Sequence, residues 1–164
     1  MHQRFFPIND TQFSPMYHVA LFEPEIPPNT GNIARLCAAT RTELHIVGQT
    51  GFRLDDRAVK RAGLDYWDQV TISFHVELVD LFDALHSSRF VFFSTKSRKP
   101  YTSWKYLPGD CLVFGPETRG LPADLLESNP ENSLTIPMSN PNVRSLNLAT
   151  SVGIVLYEAI RQTT

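Results

Sequence analysis

Six short apolar runs, separated by stretches of helical or turn-forming residues, constrain this chain more than any other feature. They are "YHVALF" (17–22), "ELHIV" (43–47), "QVTISF" (69–74), "RFVFFST" (89–95), "DCLVFG" (110–115) and "SLTIP" (133–137). Each is short enough for a strand, and "YHVALF" reads as a buried one. Between them lie helical patterns: "GNIARLCAAT", with Ile33, Leu36, Cys37 and Thr40 on one stripe; "LDDRAVKRAG", closed by Gly63; "VELVDLFDALHS"; and "PADLLES". A last helix is expected from about Ser145 to Arg161, with Ser145 as its cap. "PEIPPNT" reads as loop because of its prolines, and Asn29 or Thr30 as the cap of the helix that follows. Strands alternating with helices predict an α/β fold: a mostly parallel sheet with helices on both faces. Ligands of such sheets bind where loops leave the carboxyl ends of strands. The loops to watch therefore follow Phe22, Ser94, Phe114 and Ile136.

The chain has 164 residues, which suits one domain over residues 17–164, preceded by an extension over 1–16 expected to be loosely ordered. No apolar run approaches the roughly 20 residues of a membrane helix, and the first residues lack the apolar stretch of a signal peptide. Cys37 and Cys111 sit in separate apolar segments, without metal spacing or a disulfide framework. They read as reduced, buried thiols of a cytoplasmic protein, with Cys37 a poor candidate nucleophile, and no metal is expected. A net charge of −2 argues against indiscriminate nucleic-acid binding but permits a local basic patch.

No GxGxxG follows the first strand and no GxxxxGK[ST] occurs, so neither a conventional dinucleotide site nor a P-loop is expected. Three other stretches could carry chemistry. In "FGPETRGLP" (114–122), Gly115 allows close backbone approach, Gly120 a tight turn, and Glu117 can accept a hydrogen bond; a well-made turn explains the loop equally well. "STKSRKPYTSWKY" (94–106) sets Lys96, Arg98, Lys99 and Lys105 among Tyr101, Trp104 and Tyr106. Cations with aromatic faces suit single-stranded RNA, though a solvated basic loop with partly buried aromatics is the simpler reading, as a charged helix face is for Arg53, Arg57, Lys60 and Arg61. "PPNTGNIAR" (27–35) gathers Asn29, Gly31, Asn32 and Arg35 at one helix start, where backbone amides suit an anion.

"NTGNIAR", "LVFGPETRGLP" and "IPM…RSLNLA", in that order, resemble the three motifs of the SPOUT, or trefoil-knot, RNA methyltransferases. The resemblance is to the 2′-O-ribose branch and runs from Tyr17 to the C-terminus. "EPEIPPNTGNIARLCA" and "KRAGLDYW" are similar to the small stand-alone members that methylate the wobble nucleotide of tRNA, cytidine or modified uridine. The alternatives are a ribosomal RNA methyltransferase or a non-catalytic RNA-binding knot protein. The resemblance implies a C-terminal knot, a homodimer with a composite active site, and S-adenosyl-L-methionine (SAM) as cofactor. It implies cofactor contacts from Phe93, Ser94, Thr95, Gly115, Glu117, Gly120, Leu121, Ile136, Met138, Ser145 and Leu146. Arg35, Ser145 and Asn147 take the catalytic positions; Asn29, Asn32, Arg35, Lys96, Arg98 and Lys99 are expected to meet RNA, and Asn29 and Glu117 to orient loops or substrate. The family reading of Arg35 as a base conflicts with guanidinium chemistry, so an electrostatic or positioning role is preferred. Arg41 stands where relatives tend to have glycine after the first helix.

Overall fold

A computed structural model describes residues 14–53, 57, 61 and 64–164. Most of the expected extension and of the helix over 54–63, including Lys60 and Gly63, lies outside the described residues.

Strands β1 (His18–Phe22), β2 (Glu43–Val47), β3 (Ile72–His75), β4 (Phe90–Phe93), β5 (Lys99–Pro100), β6 (Cys111–Phe114) and β7 (Ser133–Thr135) form one sheet in the order β3-β2-β1-β6-β4-β7-β5. Every pairing is parallel. The central strands β1, β4 and β6 carry near-continuous apolar runs because both sheet faces are covered there, whereas edge strand β3 leaves Phe74 exposed. On one face, Val19, Leu21, Leu44, Ile46, Val91 and Leu112 pack against helices α1 (Pro27–Thr40) and α4 (Leu148–Thr163). On the other, Ala20, Val47, Phe92 and Val113 meet Leu81 of α2 (Leu78–Ala84) and Leu126 of α3 (Ala123–Ser128). The expected stripe of the last helix is buried: Leu148, Val152, Val155 and Ala159 all belong to the first core.

β5 has no counterpart in the sequence reading. It is two residues long, lies at the sheet edge and ends in proline, which an edge strand tolerates because its outward N–H is not needed. No apolar alternation marks so short a segment.

Two helix starts differ from expectation for physical reasons. α1 begins at Pro27, inside the expected loop, with Ile26 at the N-cap and neither Asn29 nor Thr30 capping. Prolines at the first two positions remove two N–H groups that would otherwise need partners, so the loop-like composition is a helix entry. The Thr30 hydroxyl is buried without a hydrogen-bond partner. α4 begins at Leu148, capped by Asn147 rather than Ser145. The Asn147 carboxamide oxygen accepts from Thr150 N at 3.2 Å, while its NH2 donates to Asn29 Oδ1 at 2.9 Å.

α1 ends without glycine. Arg41 takes φ 53°, ψ 39°; its N–H donates to Ala38 O, and Thr42 N donates to Cys37 O at 2.9 Å. This left-handed cap is the one glycine most readily adopts, held here by an arginine.

Candidate active site

Phe93 and Phe114 end β4 and β6, are paired in register and stack with ring centroids 4.8 Å apart at 14°. Above them, at the carboxyl ends of the strands, the loops after β4, β6 and β7 enclose a cavity of about 470 Å3. That volume suits a small-molecule site. Of the expected cofactor contacts, Phe93, Ser94, Thr95, Gly115, Glu117, Gly120, Ile136, Met138, Ser145 and Leu146 line it. Leu121 does not: it is 2% exposed and packs in the second core. Phe114, Thr135, Arg144 and Ser151 line the cavity as well. Ser151 sits four residues beyond Asn147, one turn along α4, and that spacing was a usable signal.

The loop after β6 is built tightly. Gly120 has φ +70° and donates its N–H to Pro116 O at 3.0 Å. Gly115 faces the returning backbone so closely that a Cβ there would overlap Leu121 N and Gly120 C. The glycine is thus required by close approach.

Glu117, expected as a cofactor contact and as a group that orients loops or substrate, bonds to a distant loop. Its carboxylate accepts from Glu25 N at 2.8 Å, Ile26 N at 3.0 Å and Asn29 Nδ2 at 3.1 Å. It closes the entry of α1 from a distant loop, favourably placed against the positive end of the helix dipole. The clamp is reciprocal: Glu25 accepts from the Thr118 hydroxyl at 2.8 Å, and Glu23 pairs with Arg119 at 2.6 Å. Glu117 therefore lines the cavity but serves as a fastener between two loops.

Asn29 was expected to meet RNA and to orient loops or substrate; it is 5% exposed and joins all three motif stretches. Its NH2 donates to Glu117, and its carbonyl accepts from Asn147 Nδ2 at 2.9 Å. Asn29→Asp should remove the donor to Glu117 and oppose two carboxylates, costing about 2–4 kcal/mol of folding stability. Urea melts of the two proteins measure it; a loss below about 1 kcal/mol would mean the amide is not a junction.

The other candidates divide. Arg35 and Asn32 are exposed on α1; Arg35 lies over the Tyr66 ring at 5.0 Å and does not line the cavity. Arg144, Ser145 and Asn147 are exposed on the approach to α4, the first two at the cavity wall. Lys96 lines this cavity and a neighbouring one of about 440 Å3, which also holds Arg98 and Lys99. Lys99 is partly committed, pairing with Glu131 at 3.2 Å. The interleaved aromatics are not stacking faces. Tyr106 is buried, Trp104 packs under the Arg89 guanidinium and donates to Asp110, and Tyr101 leans on the first core. Arg53, Arg57 and Arg61 are exposed. Burial pushes the Cys37 thiol well above its ordinary range, which removes it as a nucleophile.

Comparison with known proteins places this geometry. The chain is 46% identical over 148 residues to tRNA (cytidine(34)-2′-O)-methyltransferase of Escherichia coli strain K12, covering 90% of this chain and 94% of that protein. A solved structure concerned with the 2-OH methylation of C/U34 on tRNA superposes with a TM-score of 0.85 at 44% identity, over 90% of this chain and 96% of the other. A more distant structure, an AdoMet-bound rRNA methyltransferase from Sinorhizobium meliloti, gives 0.81 at 26% identity, over 99% of this chain and 62% of the longer one. The model of the SpoU rRNA Methylase family matches residues 16–157, nearly the whole described chain: the protein belongs to that family.

Proposed function

We propose that this protein is a SAM-dependent tRNA methyltransferase acting on the ribose 2′-hydroxyl of the wobble nucleotide, cytidine or modified uridine at position 34. The observation that carries the reading is 46% identity to the Escherichia coli enzyme of that name, across 94% of its length. The cavity supports it. Its floor of stacked phenylalanines, its Ile136, Met138 and Leu146 walls and its Gly115 cradle suit a ligand with a flat base and an apolar chain. The loop residues around 93–96, 115–120 and 136–146 would hold SAM, which supplies a methyl group activated by a sulfonium leaving group.

The chain's own task is then to position the ribose and exclude water. Ser145 offers a hydroxyl at the cavity wall to orient the substrate hydroxyl, while the Ser151 hydroxyl donates to Asn147 O at 3.1 Å and can only accept from a ligand. Arg144 brings a fixed positive charge suited to a phosphate. Glu117 is the cavity's carboxylate among the described residues; its commitment to three N–H donors keeps it a clamp and not a base.

Arg35 lies outside its own chain's cavity, so the reading includes a homodimer in which Arg35 serves the partner's site. Exposed Ile26, Val143 and Tyr157 supply apolar surface for such an interface. A cytoplasmic location and a knot formed by the C-terminal helix belong to the same proposal; no described helix is long and apolar enough to cross a membrane.

Incubating the protein with SAM and unmodified tRNA, then digesting and measuring 2′-O-methylated nucleosides by mass spectrometry, tests the assignment. Methylated wobble nucleotide is the expected product. Methylation of ribosomal RNA alone would replace the substrate, and no product with SAM bound would overturn the activity.

A further inference from the structure

A cluster of imidazoles lies at the other end of the sheet from the cavity. His18 opens β1, Glu43 opens β2, and His45 follows two residues later. The register pairs His18 with Glu43 and Ala20 with His45, so all three side chains leave the same face. His18 Nδ1 and His45 Nε2 are 3.0 Å apart; Glu43 places its oxygens 3.6 Å from the first and 3.9 Å from the second.

Hydrogen bonding explains only one side of this triangle. A single proton can bridge the two ring nitrogens, but the carboxylate stands beyond hydrogen-bond range of both. Either neutral tautomer that bridges them uses both nitrogens for that one hydrogen bond and leaves the carboxylate without a partner from either ring. A cation relieves all three contacts. Two imidazoles and a carboxylate bind zinc at about 2.0–2.2 Å, which puts tetrahedral ligand atoms about 3.3–3.6 Å from one another. The His18–His45 separation of 3.0 Å lies just below that spacing, and Glu43 approaches it with Oε2 at 3.6 Å from His18 and Oε1 at 3.9 Å from His45.

The surroundings orient the donors as a metal site requires. His45 Nδ1 lies 3.0 Å from His75 Nε2 on β3. With the proton on Nδ1, that contact leaves Nε2 as a lone pair aimed at Glu43 and His18. Ser73, the register partner of His45, donates its hydroxyl to Glu43 Oε1 at 2.7 Å. A ligand histidine fixed through its second nitrogen and a ligand carboxylate fixed by a hydrogen bond are the usual outer partners of a bound metal. His18 and His45 are 8% and 2% exposed, while the Glu43 side chain keeps 21%, enough for a water to complete the coordination.

We propose that His18, Glu43 and His45 form a binding site for a divalent transition metal of the zinc type, joining β1 to β2 independently of the methyl-transfer site. The cysteines gave no hint of it. The ligands are a histidine, a glutamate and a second histidine split between two strands, and only the parallel register brings them together.

The test uses tag-free, chelator-treated full-length protein and zinc chloride alone. Calorimetry should find one zinc per chain, and the melting temperature should rise by roughly 5 °C in excess zinc. Cobalt(II) should give the visible absorption of a tetrahedral site. His18→Gln and Glu43→Gln should each weaken zinc binding at least tenfold; Ser73→Ala, which touches no metal, should weaken it less. Glu43 is partly exposed, so Glu43→Gln keeps the test usable should a buried-histidine variant fail to fold. Failure of the wild-type protein to bind zinc, or binding unchanged in the folded Glu43→Gln and His18→Gln variants, would overturn the site.

Discussion

Gly115→Ala is expected to lower SAM affinity at least about 100-fold. A Cβ at this position would stand 2.9 Å from Gly120 Cα and closer still to Leu121 N and Gly120 C. These are backbone atoms, so no side-chain rotation relieves the overlap. The loop cannot yield locally, because Gly120 is fixed by its positive φ and its bond to Pro116 O, and the segment between is clamped through Glu117, Thr118 and Arg119 to residues 23–29. Relief requires moving residues 116–120, which line the cavity. A stability loss of about 1–3 kcal/mol should accompany it, the usual cost of overpacking a tight site. Gly153→Ala is the control. Its Cβ would find only Leu36 Cδ2 at 3.9 Å, inside a helix, where alanine is favoured over glycine by about 0.5–1 kcal/mol. Calorimetric titration with SAM beside thermal melts separates the two. Gly115→Ala binding within threefold of wild type would mean the loop does not shape the cofactor site.

The strands and the position of the cavity were legible because burial on both faces writes itself as apolar runs, and a parallel sheet puts its functional loops at one end. Leu148, Val152, Val155 and Ala159 were readable for the same reason: one face of one helix meets one core. What the sequence hid depends on contacts between distant segments. Glu117 reads as a ligand acceptor or an orienting group, but only the structure shows that it holds the entry of α1, 91 residues away in sequence. Asn29 reads as a cap, an RNA contact or an orienting group, and only the structure shows Glu117 and Asn147 on its two ends. Ser145 was preferred over Asn147 as cap on residue type alone, yet Asn147 can bond Thr150 and Asn29 together. Tyr101, Trp104 and Tyr106 offer two readings, stacking faces or partly buried rings in a basic loop; the second, simpler one holds, and only the structure shows that they lie over the first core.

Arg35→Ala should lower turnover at least about 100-fold, the scale of losing one charge-stabilising group, while leaving SAM affinity within about twofold. The second expectation follows from position: Arg35 touches no wall of its own chain's cavity. Stability should change little. The side chain is exposed, and its stacking over Tyr66 contributes about 0.5–1 kcal/mol. Arg35→Lys keeps the charge but loses the planar fork, so partial activity there would assign the role to charge and none would assign it to two-point recognition. Whether Arg35 acts on its own chain's site or the partner's is decided by co-expressing Arg35→Ala with Gly115→Ala, each inactive alone. In a mixed dimer, the Arg35→Ala chain keeps an intact cavity and faces a partner with an intact Arg35. If the arginine works across the interface, random pairing restores about a quarter of the wild-type sites. If it works within its own chain, one subunit lacks the arginine and the other lacks the cavity, so no dimer is active. Silence in well-folded mixed dimers would therefore exclude the composite site while leaving the methyltransferase assignment standing.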